Sequence, residues 1–133
     1  MKYVLDTNVV ARLLDGDERV LSRLAGVEPT DVGIPLVVLA ELLFGAEKSA
    51  RREQNRARVR RLTETFPMLQ IGLAVIDRYA VVRAQVERSG RPKSDFDLVI
   101  ACTALAQQAT LVTHDAALND GTIEGLLVED WLA

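Results

Sequence analysis

The sequence has one cysteine, Cys102, so no disulfide can form within the chain, and the expected setting is a reducing one, the cytoplasm. It has one histidine, His114, and so lacks the paired His and Cys ligands of a zinc site. Aromatic residues are only 5% of the chain, which leaves Val, Leu, Ile and Ala to build the core. No apolar run approaches the ~20 residues of a membrane span. Met1 leads straight into an apolar pattern, which leaves no expected room for a signal peptide. Internal repeats, low-complexity tracts and linker-like stretches are also missing, so residues 1–133 are expected to form one domain. A chain of that size buries roughly two-thirds of its unfolded surface, enough for a core without covalent staples.

What is present is an ordinary globular mixture, 49% hydrophobic and 26% charged. The net charge of −3 gives no general attraction to nucleic acid, but the charge is unevenly spread. Between Glu47 and Arg61 stand seven basic residues (Lys48, Arg51, Arg52, Arg56, Arg58, Arg60, Arg61) against Glu47 and Glu53. The remainder is strongly acidic. Such asymmetry suits an anionic substrate held beside an acidic pocket.

Short apolar runs alternate with helical stripes. Tyr3-Val4-Leu5, Val32-Gly33-Ile34-Pro35, Met68 to Ile71, Thr110 to Thr113 and Leu126 to Val128 read as strands. Helices are expected over 7–14, 18–25, 36–46, 49–65, 73–89 and 95–108, with a helical turn over 116–119. In the 73–89 helix the apolar positions are Ala74, Ile76, Ala80, Val81, Ala84 and Val86, with Gly90 as its stop. Trp131-Leu132 looks like a C-terminal anchor. Strand-helix alternation of this kind indicates an α/β domain with a central, mostly parallel twisted sheet.

Four carboxylates stand out. Asp6 closes the first strand, Asp115 follows the strand at 110–113, and Asp97 opens a helix. Taken singly, each also suits a local role: Asp6 as an N-cap, Asp97 within a Ser94-x-x-Asp97 capping box, and Asp115 as the cap of the turn at Ala116. Glu41 is different, because its helical neighbours Val37, Val38, Phe44 and Gly45 are not a solvated face. An exposed helix edge is the alternative for it. In a parallel sheet Asp6 and Asp115 share the carboxyl edge, where open α/β sheets bind ligands. If the four converge, their mutual repulsion calls for a divalent cation. Oxygen donors without a Cys/His set favour Mg²⁺ or Mn²⁺, a donor set suited to phosphoryl chemistry.

The segments Tyr3-Val4-Leu5-Asp6-Thr7-Asn8, Ala40-Glu41-Leu42, Asp97-Leu98-Val99-Ile100-Ala101 and Leu111-Val112-Thr113-His114-Asp115 follow one another as they do in the PIN domain. The chain most resembles the VapC-type toxins of bacterial toxin–antitoxin pairs, over nearly its whole length. The resemblance implies a three-layer α/β/α fold. It implies Asp6, Glu41, Asp97 and Asp115 as acidic catalytic and metal-site residues, with Thr7, Asn8 and Thr113 in support. It implies a Mg²⁺- or Mn²⁺-dependent endoribonuclease that hydrolyses RNA phosphodiesters with metal-activated water, paired with a VapB-like antitoxin and forming a homodimer. Two other acidic α/β folds fit less well. Haloacid-dehalogenase phosphatases carry a second Asp where this chain has Asn8, and response-regulator receivers need a late lysine, whereas none follows Lys93 here.

Other classes stay open: an RNA- or protein-binding module without cleavage, or a metal-dependent phosphatase or DNA nuclease. Arg51, Arg52, Arg56, Arg91 and Lys93 are candidates for RNA phosphate contact, or else a solvated basic face. Asp95 reads as a first-turn acid favoured by the helix dipole, with metal contact as its alternative. His114 reads as a loop residue, with substrate contact or general-base action as the alternative. Cys102, among Ile100, Ala101, Ala104 and Leu105, reads as core.

Overall fold

The computed structural model describes residues 1–133. Five strands run as β1 (Tyr3–Leu5), β2 (Val32–Pro35), β3 (Met68–Leu69), β4 (Thr110–Val112) and β5 (Val128–Glu129). Six helices join them: α1 (Thr7–Leu14), α2 (Glu18–Ala25), α3 (Leu36–Lys48), α4 (Arg52–Thr65), α5 (Leu73–Ser89) and α6 (Asp95–Ala106). All strand pairs are parallel, in the order β3-β2-β1-β4-β5. The chain therefore starts in the middle of the sheet, builds outward one way, then returns to build the other way. Strand order reverses between β1 and β4, and the register pairs Leu5 with Val112. The next residues, Asp6 and Thr113, emerge side by side at this switch point, where doubly wound sheets open a ligand crevice.

Right-handed crossovers send α1–α4 to one face of the sheet and α5–α6 to the other. In the packing, α1 lies against α2 and α3, α3 against α4, and α5 against α6, and α3 also meets α6. The sheet between them is dry. Val4, Leu5, Val32, Ile34, Leu111 and Val112 are buried, as a sheet covered on both faces requires. Cys102 is buried with them, and burial pushes its thiol up to about 11, which leaves it inert. Trp131 packs edge-on against Tyr3 at 5.2 Å between ring centroids, so the C-terminal segment is anchored on the first strand. Gly33 permits a close approach: a Cβ there would meet the Leu69 side chain at 2.6 Å.

Element boundaries differ from expectation where partners run out. β3 stops at Leu69 rather than Ile71, because its partner β2 turns into α3 after Pro35. The last strand starts later than Leu126, whose N–H is engaged in a turn to Ile123. α4 begins at Arg52, because Ser49 is extended and its hydroxyl donates to the Ala46 carbonyl. α6 ends at Ala106, and Gln108 takes a positive φ of 52° to enter β4. The buried stripe of α5 also lies elsewhere than expected. Val86 is buried as expected, but Val75 and Val82 join it facing inward, while Ile76 and Val81 are exposed. The pattern of many small and branched residues fits two neighbouring stripes, and packing against α6 selects one. Gly90 ends α5 in the left-handed conformation, as its position implied.

Candidate active site

The candidate site begins at Asp6, which is only 4% exposed. Its carboxylate takes two short hydrogen bonds. Oδ1 accepts from the Thr7 N–H at 2.8 Å, and Oδ2 accepts from the Thr113 hydroxyl at 2.7 Å. The N-cap role is therefore real, and it does not exclude a functional one. Burial raises the Asp6 pKa above the ordinary carboxylate value. The Thr113 and Thr7 bonds oppose that rise, while the charges of Asp97 and Asp115 add to it.

Two threonines extend this into a continuous chain. The Asp115 N–H donates to Thr113 Oγ1 at 3.0 Å, and the Thr113 hydroxyl donates onward to Asp6. On the other side Thr7, whose N–H holds Asp6, donates its own hydroxyl to Glu41 Oε1 at 2.7 Å. Ends of β1 and β4 and the body of α3 are thus tied through five residues: Asp115, Thr113, Asp6, Thr7 and Glu41. Glu41 is half-buried: Thr7 of α1 covers it on one side, and Val37 and Val38 are buried as expected, but Phe44 and Gly45 are exposed, so this face of α3 is partly solvated.

Asp97 joins by charge rather than by hydrogen bond. It is half-buried in the first turn of α6, and its N–H donates to Ser94 Oγ at 3.2 Å. Burial raises its pKa; Ser94 and Lys93 lower it, and Asp115 raises it. Asp115 also caps the 3₁₀ turn Ala116–Asn119 by accepting from the Ala117 N–H at 2.9 Å. The structure thus brings Asp6, Asp97 and Asp115 into one electrostatic neighbourhood, with Glu41 linked through Thr7.

The acids form an open ring rather than a tight knot. No three His, Cys, Asp or Glu side chains close together as a ready-made metal cage. The physical reason is local: Asp6, Asp115 and Glu41 are each held by their own hydrogen bonds. This donor set still fits a hard cation that keeps much of its water, since Mg²⁺ is commonly held by one or two carboxylates. Asp6 and Asp97 are the two acids whose pKa burial raises, and the charge of Asp115 adds to the rise in both. Asn8 is exposed and makes no side-chain hydrogen bond to the ring.

Basic candidates separate. Arg51 and Arg91 are exposed; Arg52 and Arg56 are also exposed but lie 3.3 and 3.8 Å from Glu47. Arg58 is turned inward, donating to the Leu14 carbonyl at the end of α1 and to Asn55 Oδ1. It borders a cleft of about 240 Å³ that reaches Glu41 between α1, α3 and α4. Lys93 departs from the expected exposed phosphate ligand. Its side chain is 2% exposed and paired with Asp120 at 2.9 Å, so its charge is already engaged. Sequence reading missed Asp120, whose only local signal was a turn ahead of Gly121. Asp95 is held by the Tyr79 hydroxyl at 2.8 Å and by Arg83 at 3.4 Å. His114 Nδ1 lies 2.9 Å from Asp130 Oδ2.

Comparison with known proteins identifies the family to which this fold belongs. A model of the PIN domain matches residues 3–121. Ribonuclease VapC1 of Haemophilus influenzae (strain R2866) is 31% identical over 133 residues, which is 98% of each chain. The tRNA(fMet)-specific endonuclease VapC of Shigella flexneri is 29% identical over 131 residues, again 98% of each. Among solved structures, VapBC2 of Rickettsia felis bound to a DNA fragment from its promoter aligns with a TM-score of 0.89 and 28% identity, over 98% of this chain and 99% of that one.

Proposed function

This chain belongs to the PIN-domain family, alongside the VapC ribonucleases, and from that premise we propose that it is a divalent-metal-dependent endoribonuclease, the toxin of a toxin–antitoxin pair. The whole chain works as one domain in this reading. The observation that carries it is the buried Asp6 at the sheet's switch point, sharing its field with Asp97 and Asp115.

Asp6 and Asp97 would hold the cation, with Glu41 and Asp115 completing the acidic rim. A bound Mg²⁺ or Mn²⁺ supplies Lewis acidity toward the scissile phosphate and the attacking water. The chain's own part is positioning. Thr113 and Thr7 fix both oxygens of Asp6 with charge-assisted hydrogen bonds, so the carboxylate is set before substrate arrives. Thr7 fixes Glu41 in the same way. No side chain of the ring is a histidine, and the ionised carboxylates themselves are the available proton acceptors. Water forms the new P–O bond and the P–O3′ bond breaks, the 3′-oxygen leaving with a proton, so products carry a 5′-phosphate and a 3′-hydroxyl and no cyclic phosphate forms. The exposed Arg51, Arg52, Arg56 and Arg91 contact RNA phosphates, which positions the strand without reading its sequence.

Solved relatives carry a VapB partner. A VapB-like antitoxin is the partner proposed here, with the cleft beside Glu41 and Arg58 as a route to the acidic rim. A homodimer is the proposed assembly. No helix is long and apolar enough to cross a membrane.

The test is cleavage of total RNA, single-stranded DNA and a chromogenic phosphate ester with added Mg²⁺, wild type against Asp6→Ala. RNA cut by the wild type alone, in a metal-dependent way, supports the reading. An intact site inactive on every RNA favours a binding module, and preferential turnover of the small ester favours a phosphatase.

A further inference from the structure

Lys93 is the least exposed charged side chain among the ion pairs, yet it sits in the short loop between α5 and α6. An ammonium taken out of water costs several kcal/mol unless it is paired and hydrogen-bonded. Here it donates to the Ala117 carbonyl and to Asp120 Oδ2 at 2.9 Å. Asp120 is fixed in turn by the Thr122 hydroxyl at 2.7 Å and by its N–H at 3.0 Å. The link spans 27 residues of sequence and ties the loop before α6 to the segment after β4.

Both segments carry site acids. Lys93 stands next to Ser94, whose hydroxyl accepts from the Asp97 N–H and starts α6. Ala117, which takes the Lys93 bond on its carbonyl, donates its N–H to Asp115 Oδ1. One buried ammonium is therefore one residue from the cap that sets Asp97 and bonded to the residue that sets Asp115. We propose that Lys93, clamped on Ala117 and Asp120, is a positioning residue that fixes the separation of Asp97 and Asp115 at the metal-holding rim. Its charge also faces Asp97 and partly offsets the repulsion from Asp115.

This inference rests on the proposed metal-dependent nuclease. It predicts a defect in cation binding that precedes any contact with RNA. Outer-shell partners of metal ligands typically change metal affinity or activity 10–100-fold.

The experiment measures Mn²⁺ binding calorimetrically, without RNA, for wild type, Lys93→Met and Asp120→Asn. It adds kcat and KM on RNA and circular dichroism to establish that each variant is native at the assay temperature. Asp120→Asn is the milder change, since Asp120 is only half-buried and Asn keeps its shape, and it serves if Lys93→Met does not fold. Support is a Mn²⁺ affinity reduced about 10-fold or more in a natively folded variant, with kcat reduced and KM for RNA unchanged. Unchanged or tighter Mn²⁺ binding in natively folded variants overturns the inference, because Lys93 would then be only a structural tie or an opposing charge. If wild type binds Mn²⁺ and cleaves RNA while the variants match it, the positioning role alone fails. If wild type binds no Mn²⁺, the nuclease reading falls and takes the inference with it.

Discussion

Thr113→Val is the sharpest structural perturbation of the site. The two side chains have nearly the same shape, and Thr113 is 2% exposed, so no cavity opens. What disappears is one oxygen with two bonds: the donation to Asp6 at 2.7 Å and the acceptance from the Asp115 N–H at 3.0 Å. A hydrogen bond to a charged group contributes about 1.5–3 kcal/mol, and an orphaned N–H costs about 1–3 kcal/mol. Asp115 is only half-buried, so its N–H belongs at the low end. The sum is about 2.5–4 kcal/mol, or roughly 8–15 °C in Tm for a domain of this size. Thr113→Ser keeps the oxygen and loses one buried methyl, about 1 kcal/mol. Urea denaturation of wild type and both variants gives the comparison. A valine variant within about 0.5 kcal/mol of wild type, well under the hydrogen-bond range, would refute the reasoning. The Asp115–Thr113–Asp6 relay would then contribute nothing.

Burial also makes Asp6 a cost to the stability of the metal-free protein. Its folded pKa is raised by burial and by Asp97 and Asp115, so above the ordinary carboxylate range the folded chain binds more protons than the unfolded one. Stability therefore falls as pH rises through the folded value. Asp6→Asn should unfold at a higher temperature than wild type near neutral pH without metal, with the gap closing as pH falls toward the ordinary Asp value. Differential scanning calorimetry across that range checks this, and a variant less stable than wild type at neutral pH contradicts it. Replacing Arg51, Arg52 and Arg56 together by Gln should raise KM for RNA with little change in kcat. The salt dependence of binding should shrink by about 0.7 in log–log slope for each phosphate that the three arginines neutralise. An unchanged slope would make that helix a solvated face only.

Much of the frame was readable because apolar runs and turn residues carry period and punctuation. The alternation of strands and helices, the parallel sheet and a C-terminal anchor at Trp131 follow from local pattern, while its seat against Tyr3 came only with the structure. Asp6 and Asp115 at one edge needed only the parallel rule and the strand ends. The inward face of α5 was not readable, because branched residues lie on both sides of Val75 and Val82 and the choice belongs to α6. The use of Lys93 was hidden for a related reason. Nothing near it in sequence announces Asp120, and a lysine in a polar loop ordinarily faces water. The caps made by Asp6 and Asp115 were readable, whereas the Thr7 bond to Glu41, across 34 residues, was not.

A cation held between Asp6 and Asp97 is the central claim. Crystals soaked in Mn²⁺ and measured at the manganese absorption edge test it directly. The expected result is an anomalous peak at the carboxyl end of β1, at inner-sphere distance from oxygens of both residues, about 2.1 Å. A map with no peak there at saturating Mn²⁺, or with manganese bound only elsewhere, would contradict it.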